Sequence, residues 1–168
     1  SFFDEEVIEK RKYEINYYSD KLDSLLDENS HQTELFAEKL LQKYEGEKEF
    51  IRYLAMAQYN QGKYDKALTN FKRVTFSKFD YIQDNDIFNV GLTFEMLNQY
   101  DSAIHYYQKV SEKAKIRIAQ CYEAQMITDS AIHYYQIQKN NILKYANTLD
   151  YTSELDFLNH KLDSLKKK

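Results

Sequence analysis

At 168 residues with no proline and only three glycines, the chain is long enough for one buried core but poor in turn-forming residues, which excludes a strand-rich fold. Its 23 basic and 27 acidic residues leave a net charge of −4, which argues against a broad nucleic-acid-binding surface. One cysteine excludes an intramolecular disulfide, and no apolar run is long enough to predict a membrane span. The composition therefore favours an all-α soluble domain, suited equally to the cytoplasm or the periplasm.

The first segment, residues 1–47, predicts a degenerate helix pair that caps the N-terminal end of the fold. Ile8, Ile15 and Leu22 recur every seven residues, which places them on one face of a helix. Gly46 suits the residue that ends a helix, because glycine adopts the left-handed conformation at little cost.

The central segment, residues 48–138, contains three related repeats. Residues 101–108 and 129–136 are identical, and residues 65–71 are a diverged third copy. Each copy has an alanine followed four positions later by an aromatic residue: Ala67 and Phe71, Ala103 and Tyr107, and Ala131 and Tyr135. Another small residue stands 12 positions before each of these alanines: Ala55, Gly91 and Ala119. The pattern predicts three antiparallel helix pairs whose helices cross closely at the small residues.

The last segment, residues 139–168, predicts a second degenerate pair that caps the C-terminal end. Ile142 and Ala146 would lie on its first helix, and Leu158 and Leu162 on its second. End pairs of a helical stack are expected to be atypical, because they cover the open ends of the core. The chain would then hold about five antiparallel helix pairs in one domain.

Residues 60–67, which join the helices of the first central pair, resemble the turn and second-helix start of the tetratricopeptide repeat (TPR) family. The resemblance extends over residues 48–138, although the family's closing proline is absent and the three alanines are 36 and then 28 residues apart. The family repeat is about 34 residues long. The resemblance implies an α-solenoid that winds as a right-handed superhelix and binds a protein or peptide in a concave groove lined by the first helix of each pair.

Counting around each predicted first helix from its small residue assigns eleven side chains to that groove. They are Arg52, Met56, Tyr59, Phe88, Asn89, Leu92, Glu95, Met96, Lys113, Arg117 and Gln120. Aromatic and methionine side chains would supply contact area, while amides and charges would fix the register of a bound chain. For each residue taken singly, the alternative interpretation is a solvated helix face.

The resemblance also implies a narrower hypothesis, capture of the terminal carboxylate of a peptide. Some family members bind such a carboxylate with cationic and asparagine side chains on successive first helices. Arg52, Asn89, Lys113 and Arg117 occupy four of the corresponding positions in this sequence, whereas Met56 replaces an expected asparagine. An arginine can bind a carboxylate through two hydrogen bonds, so the chemistry is available.

No residue pattern indicates catalysis or a cofactor. His105 and His133 occupy equivalent positions in two repeats and are interpreted as exposed helix positions, because a metal site needs three or four converging ligands. Cys121 is interpreted as a packed, inert thiol. Three scattered glycines cannot form a phosphate-binding loop. We therefore expect a non-enzymatic scaffold with no metal and no cofactor, whose partner is a protein or peptide rather than a nucleic acid.

An alternative role also follows from resemblance. Residues 100–103, Tyr-Asp-Ser-Ala, are similar to turns in bacterial tetratricopeptide regions that precede a membrane span. The chain would then be the ligand-sensing or regulatory region of a larger membrane-associated receptor or regulator.

Overall fold

The computed structural model describes residues 2–75, 84–110, 114–145 and 151–167, and side chains from residue 4 onward except that of residue 145. These described residues form α-helices and no strand, as the composition predicts. In chain order the helices are α1 (Phe2–Glu28), α2 (Ser30–Lys43), α3 (Lys48–Asn60), α4 (Tyr64–Thr75), α5 (Asp84–Met96), α6 (Tyr100–Tyr107), α7 (Lys115–Ala124), α8 (Thr128–Tyr145) and α9 (Thr152–Leu165).

The chain divides into two compact units, whereas the sequence predicts one solenoid domain. Unit 1 spans Ser1–Ile82, and unit 2 spans Gln83–Lys168. In unit 1, α2 packs against α1 and α3, and α3 packs against α4. In unit 2, α5 packs against α6, α6 against α7, α7 against α8, and α8 against α9. Within each unit the helices therefore pack in chain order, as they do in a stack of helix pairs.

The core of unit 1 is an aromatic and aliphatic cluster built around the N-terminal pair. Its buried members are Leu22, Ala37, Leu40, Tyr44, Phe50 and Leu54. The rings of Tyr44 and Phe50 meet edge to face, with centroids 5.5 Å apart. The start of α2 is fixed by Asn29, whose side-chain oxygen accepts a hydrogen bond from the backbone N–H of Gln32 at 3.0 Å. The N-terminal pair expected for residues 1–47 is thus packed into the core of unit 1.

The small residues predicted at the helix crossings are all buried. Ala119 and Ala131, from the two helices of one pair, lie in the same buried cluster. Gly91 is in the tightest position, because a Cβ atom built on it would lie 2.6 Å from Cε1 of Tyr107. Tyr107 is itself fully buried, so the glycine makes room for its ring.

The turns inside the three central pairs share one backbone motif. Gly62, Asn98 and Met126 each lie seven residues after a crossing residue and have φ values of 74°, 58° and 61°. The next residue donates its backbone N–H to a carbonyl five positions earlier: Lys63 to Gln58, Gln99 to Phe94, and Ile127 to Tyr122. This is the Schellman helix ending, in which the left-handed residue is most often glycine and sometimes asparagine. Met126 is the costly member, because its Cβ crowds the backbone there.

The C-terminal helices correct the expectation of a fifth pair. Helix α8 continues without a break to Tyr145, so residues 139–145 extend it instead of beginning a new helix. Ile142 lies seven residues after Tyr135, which keeps it on the same buried face, and both pack in a cluster with Leu158 and Leu162 of α9. Ala146 lies outside the described residues. The described helices thus form four pairs followed by α9.

Replacing Met126 by glycine should stabilise the protein. The substitution removes the Cβ strain at φ 61° from a side chain that is 89% exposed and makes little contact. We expect the free energy of unfolding, measured by urea denaturation, to rise by about 1 kcal/mol after the entropy cost of glycine is subtracted. Met126→Ala is the matched control, because it shortens the side chain but keeps the Cβ. An equal gain in both variants would contradict the backbone explanation.

Replacing Gly91 by alanine should destabilise the protein, although the same change in an open helix position stabilises it by about 1 kcal/mol. The new methyl group would overlap the ring of Tyr107, which is held between Phe88 and the carboxylate of Glu95. We expect a loss of about 1–3 kcal/mol in the free energy of unfolding. A gain in thermal stability would show that the ring moves aside freely.

Candidate peptide-binding surface

The structure places ten of the eleven predicted groove residues on three helices, one in unit 1 and two in unit 2. Helix α3 of unit 1 carries Arg52, Met56 and Tyr59; α5 of unit 2 carries Phe88, Asn89, Leu92, Glu95 and Met96; α7 of unit 2 carries Arg117 and Gln120. Lys113 lies outside the described residues. The ten described residues form two sets, one on each unit.

The set on α3 is mostly engaged within its own pair. Arg52 forms an ion pair with Glu49 one turn earlier, and its side chain is 17% exposed. The ring of Tyr59 packs edge-on against Tyr64 of α4, with centroids 5.4 Å apart. Met56 is half-buried. This set presents little apolar area and no strongly exposed cation.

The set on α5 contains an apolar row. Phe88, Leu92 and Met96 are spaced four residues apart, which places them along one side of the helix. We call these three residues the α5 strip. The ring of Phe88 packs against Tyr107 with centroids 5.3 Å apart, Leu92 is half-buried, and Met96 is 45% exposed. The strip thus runs from an anchored ring to an exposed, adaptable thioether.

Glu95 links α5 to two other helices beside the α5 strip. The hydroxyl of Tyr107 on α6 donates to Oε2 of Glu95 at 2.8 Å, and Nη1 of Arg117 on α7 lies 3.3 Å from Oε1. Burial, followed by the hydrogen bond to Glu95, raises the pKa of Tyr107. The structure therefore brings together two predicted groove residues, Glu95 and Arg117, as an ion pair.

The next repeat also has a glutamate that contacts a tyrosine hydroxyl and a cation, and the sequence did not predict these contacts. The hydroxyl of Tyr135 on α8 donates to Oε2 of Glu123 on α7 at 2.9 Å. Nζ of Lys161 on α9 lies 3.0 Å from both oxygens of that carboxylate. The detectable signal is a tyrosine 12 residues after a glutamate in both repeats. The cation gives no such signal, since Lys161 follows Glu123 by 38 residues.

Unit 1 contains a different buried polar chain, centred on Glu34 of α2. Its carboxylate accepts hydrogen bonds from the side chains of Lys63 at 2.5 Å, Gln61 at 2.8 Å and Gln58 at 3.3 Å. Oε1 of Gln58 in turn accepts from Nδ2 of Asn70 at 2.9 Å. Desolvation by burial raises the pKa of Glu34, but the three hydrogen bonds outweigh it, so the pKa is lowered overall. Glu34 therefore stays ionised and ties α2 to the first central pair.

The ion pairs weigh against capture of a peptide carboxylate. Arg52 is matched by Glu49 and Arg117 by Glu95, so each guanidinium already faces a carboxylate. A second carboxylate would approach an approximately neutral pair, where the attraction is weak. Asn89, the remaining described member of that hypothesis, is half-buried; the hydroxyl of Thr93 donates to its backbone carbonyl and not to its side chain.

The residues weighed for chemistry have ordinary structural environments. Cys121 is fully buried, and desolvation raises the pKa of its thiol to about 12. His105 and His133 are exposed, and each lies edge-on to the tyrosine that follows it. Within the described ranges, no three side chains of His, Cys, Asp or Glu are grouped to hold a metal ion. In the same part of the chain, no helix combines the length and apolar character needed to cross a membrane.

Raising the pH should weaken the fold more steeply than exposed groups can explain. Burial raises the pKa of Cys121, Tyr107 and Tyr135, so the folded state keeps protons that the unfolded state loses above about pH 9–10. Urea unfolding between about pH 8 and 11 should lose up to about 1.4 kcal/mol per pH unit for each such group. Tyr107→Phe should flatten this dependence, whereas Tyr13→Phe, at a 72% exposed tyrosine, should not. Identical slopes in all three proteins would contradict the assignment.

A tetratricopeptide repeat family model matches residues 52–75, which cover most of α3 and all of α4. Among solved structures, the chain is similar to the "MamA RS-1 ArsTM double mutant", with a TM-score of 0.62 and 14% identity, over 91% of this chain and 94% of that one. No curated protein matches the sequence. The repeat match and the shared fold show that the chain has an all-α, tetratricopeptide-like helical repeat fold.

Proposed function

We propose that the chain is a non-enzymatic scaffold that binds an apolar peptide segment of another protein on the α5 strip of unit 2. The observation that carries the proposal is the α5 strip itself, Phe88, Leu92 and Met96, which runs along one side of α5 and ends in an exposed methionine. Methionine and aromatic side chains bind apolar groups well, because the thioether is polarisable and flexible while the ring offers a large rigid area.

The polar residues beside the strip favour an uncharged ligand. Arg117 and Glu95 compensate each other's charge, with side chains that are 42% and 20% exposed. Gln120 follows Arg117 by three positions and so lies on the same side of α7. Arg117 and Glu95 can hydrogen-bond to a peptide backbone without attracting one sign of charge, whereas Oε1 of Gln120 is buried. The surface therefore supports recognition through apolar side chains with polar groups fixing the register.

We expect the predicted groove residues on α3, which are Arg52, Met56 and Tyr59, to contribute less to peptide binding than the α5 strip. Arg52 and Tyr59 are occupied by contacts inside unit 1, and Met56 is half-buried. A ligand would gain less apolar contact there than along the α5 strip, since contact energy follows the apolar area removed from water.

The test is selection of peptides from a displayed random library on the intact chain, followed by affinity measurements on variants. A peptide anchored by apolar side chains should bind with a Kd of about 1–100 µM. Leu92→Glu combined with Met96→Glu should weaken selected peptides at least about tenfold, because it places charges where apolar groups would be buried. Met126→Glu and Leu35→Glu are controls, since both residues are exposed apolar side chains outside the strip.

Peptides that bind the Leu92→Glu, Met96→Glu variant as tightly as the original chain would remove the α5 strip as the site. Loss of binding with Met56→Glu but not with the strip variant would move the site to α3. Circular dichroism and thermal unfolding of each variant establish that the fold is retained.

A further inference from the structure

The N-terminal half of α1 extends beyond the helix that packs against it. Helix α1 has 27 residues and α2 has 14, and they run antiparallel from the tight turn at Asn29. The end of α2 meets α1 near Glu14, whose Oε2 accepts from the hydroxyl of Tyr44 and lies 3.3 Å from Nζ of Lys43. Every side chain from residue 4 to residue 13 is exposed. We call residues 4–13 the α1 overhang.

The apolar face of α1 continues into the α1 overhang. Ile8, Ile15 and Leu22 recur every seven residues along one face of the helix. Leu22 is fully buried and Ile15 packs against the core of unit 1, whereas Ile8 is 62% exposed and its neighbour Val7 is 67% exposed. A face that is core along one half of a helix and bare along the other suggests an association surface.

The charges of the α1 overhang are grouped by sign along the helix, with the change of sign between Glu9 and Lys10. Glu5, Glu6 and Glu9 stand in its first part, followed by the run Lys10, Arg11 and Lys12. Counting by three and four from Ile8 puts Glu5 on one side of it along the helix, and Arg11 and Lys12 on the other. This face is therefore acidic, apolar and then basic, in that order.

Such a face is complementary to itself when a second copy packs antiparallel. With the two helices crossing at Ile8, each copy's Ile8 meets the other's, and Glu5 of each lies beside Arg11 and Lys12 of its partner. A twofold axis makes each contact of Glu5 with Arg11 and Lys12 occur twice, while the Ile8 contact lies on the axis. A parallel arrangement would instead set like charges side by side, which is unfavourable.

A cavity at the base of the α1 overhang fits the same partner. It has a volume of about 380 Å³ and is lined by Val7, Lys10, Arg11, Glu14, Lys43 and Tyr44. Val7 and the ring of Tyr44 form its apolar floor, while Lys43 is paired with Glu14 and Nη2 of Arg11 lies 3.8 Å from Oε2 of Glu47. The cavity therefore offers a second copy's α1 an apolar contact at Val7, next to charges that are largely matched within unit 1.

We propose that the α1 overhang is a homodimer interface, in which two copies of α1 pack antiparallel and cross near Ile8. The overhang is about 15 Å long, so it buries less than the roughly 800 Å² per partner found in stable complexes. The dimer should accordingly be reversible, with a Kd of about 1–100 µM. This interface lies in unit 1, so the dimer proposal does not rest on the proposal of peptide binding on the α5 strip.

Sedimentation of the whole chain over a concentration range tests the proposal. The mass should rise from one chain toward two between about 1 and 300 µM. Glu5→Lys alone and Lys12→Glu alone should each weaken the dimer at least about tenfold by opposing like charges. An equal mixture of the two variants should associate again, because the exchanged charges are complementary. Glu38→Lys and Lys39→Glu, exposed on α2, are the matched controls and should leave the Kd unchanged.

A second comparison isolates the apolar contact. Ile8→Ser should weaken the dimer, whereas Leu35→Ser, at a 54% exposed leucine of the same unit, should not. Neither change should alter the thermal unfolding of the fold, since both side chains are exposed. The proposal is overturned if the chain keeps the mass of one copy at the highest concentration. It is also overturned if the mixture of charge variants stays monomeric or if Ile8→Ser dimerises like the original chain.

Discussion

The close approach of paired helices at a buried small residue is the constraint on which the rest of each central repeat depends. At Gly91 there is no room for even one methyl group, because the ring of Tyr107 occupies that space. A buried tyrosine needs an acceptor for its hydroxyl, and Glu95 supplies it from the first helix of the same pair. A carboxylate drawn into the interior then needs a cation, which Arg117 supplies from the next pair. One steric requirement inside a pair is thus linked to the contact between successive pairs.

The first central pair has neither the buried tyrosine hydroxyl nor the glutamate that accepts from it. Phe71 replaces the tyrosine, so no buried hydroxyl needs an acceptor, and Tyr59 stands where the later repeats have glutamate. Phe71 is nevertheless buried to the same extent as its counterparts, which shows that the helix crossing needs the ring and not the hydroxyl. Polar contact between successive helices is supplied instead by Glu34, which reaches Lys63 from α2. Successive helices are therefore linked by tyrosine–glutamate–cation contacts in the later repeats and by the contact of Glu34 with Lys63 in unit 1.

The sequence predicts the central repeats well, because their signals are local. Small residues and aromatic residues recur at fixed spacings, and each spacing has one helical interpretation. The C-terminal end was predicted less well, since the spacing of Ile142 fits either a continued α8 or a new helix, and only packing against α9 decides between them. The ion pair between Glu95 and Arg117 was not predicted, for a related reason. Glu95 and Arg117 were both placed on the candidate surface, but their pairing depends on how consecutive helices are offset, and repeat spacings of 36 and 28 residues do not fix that offset.

The two proposed surfaces differ in the physics that would hold a partner, and ionic strength separates them. Beside the α5 strip Arg117 is already matched by Glu95, so we expect association there to depend on apolar area, which added salt does not screen. On the α1 overhang the charges are exposed and grouped by sign, with attraction across the crossing between Glu5 and Lys12. Attraction between exposed charges falls once the Debye length shrinks to about 3 Å at 1 M salt. Peptide binding that persists in high salt while self-association is lost would therefore distinguish the two surfaces in a single protein.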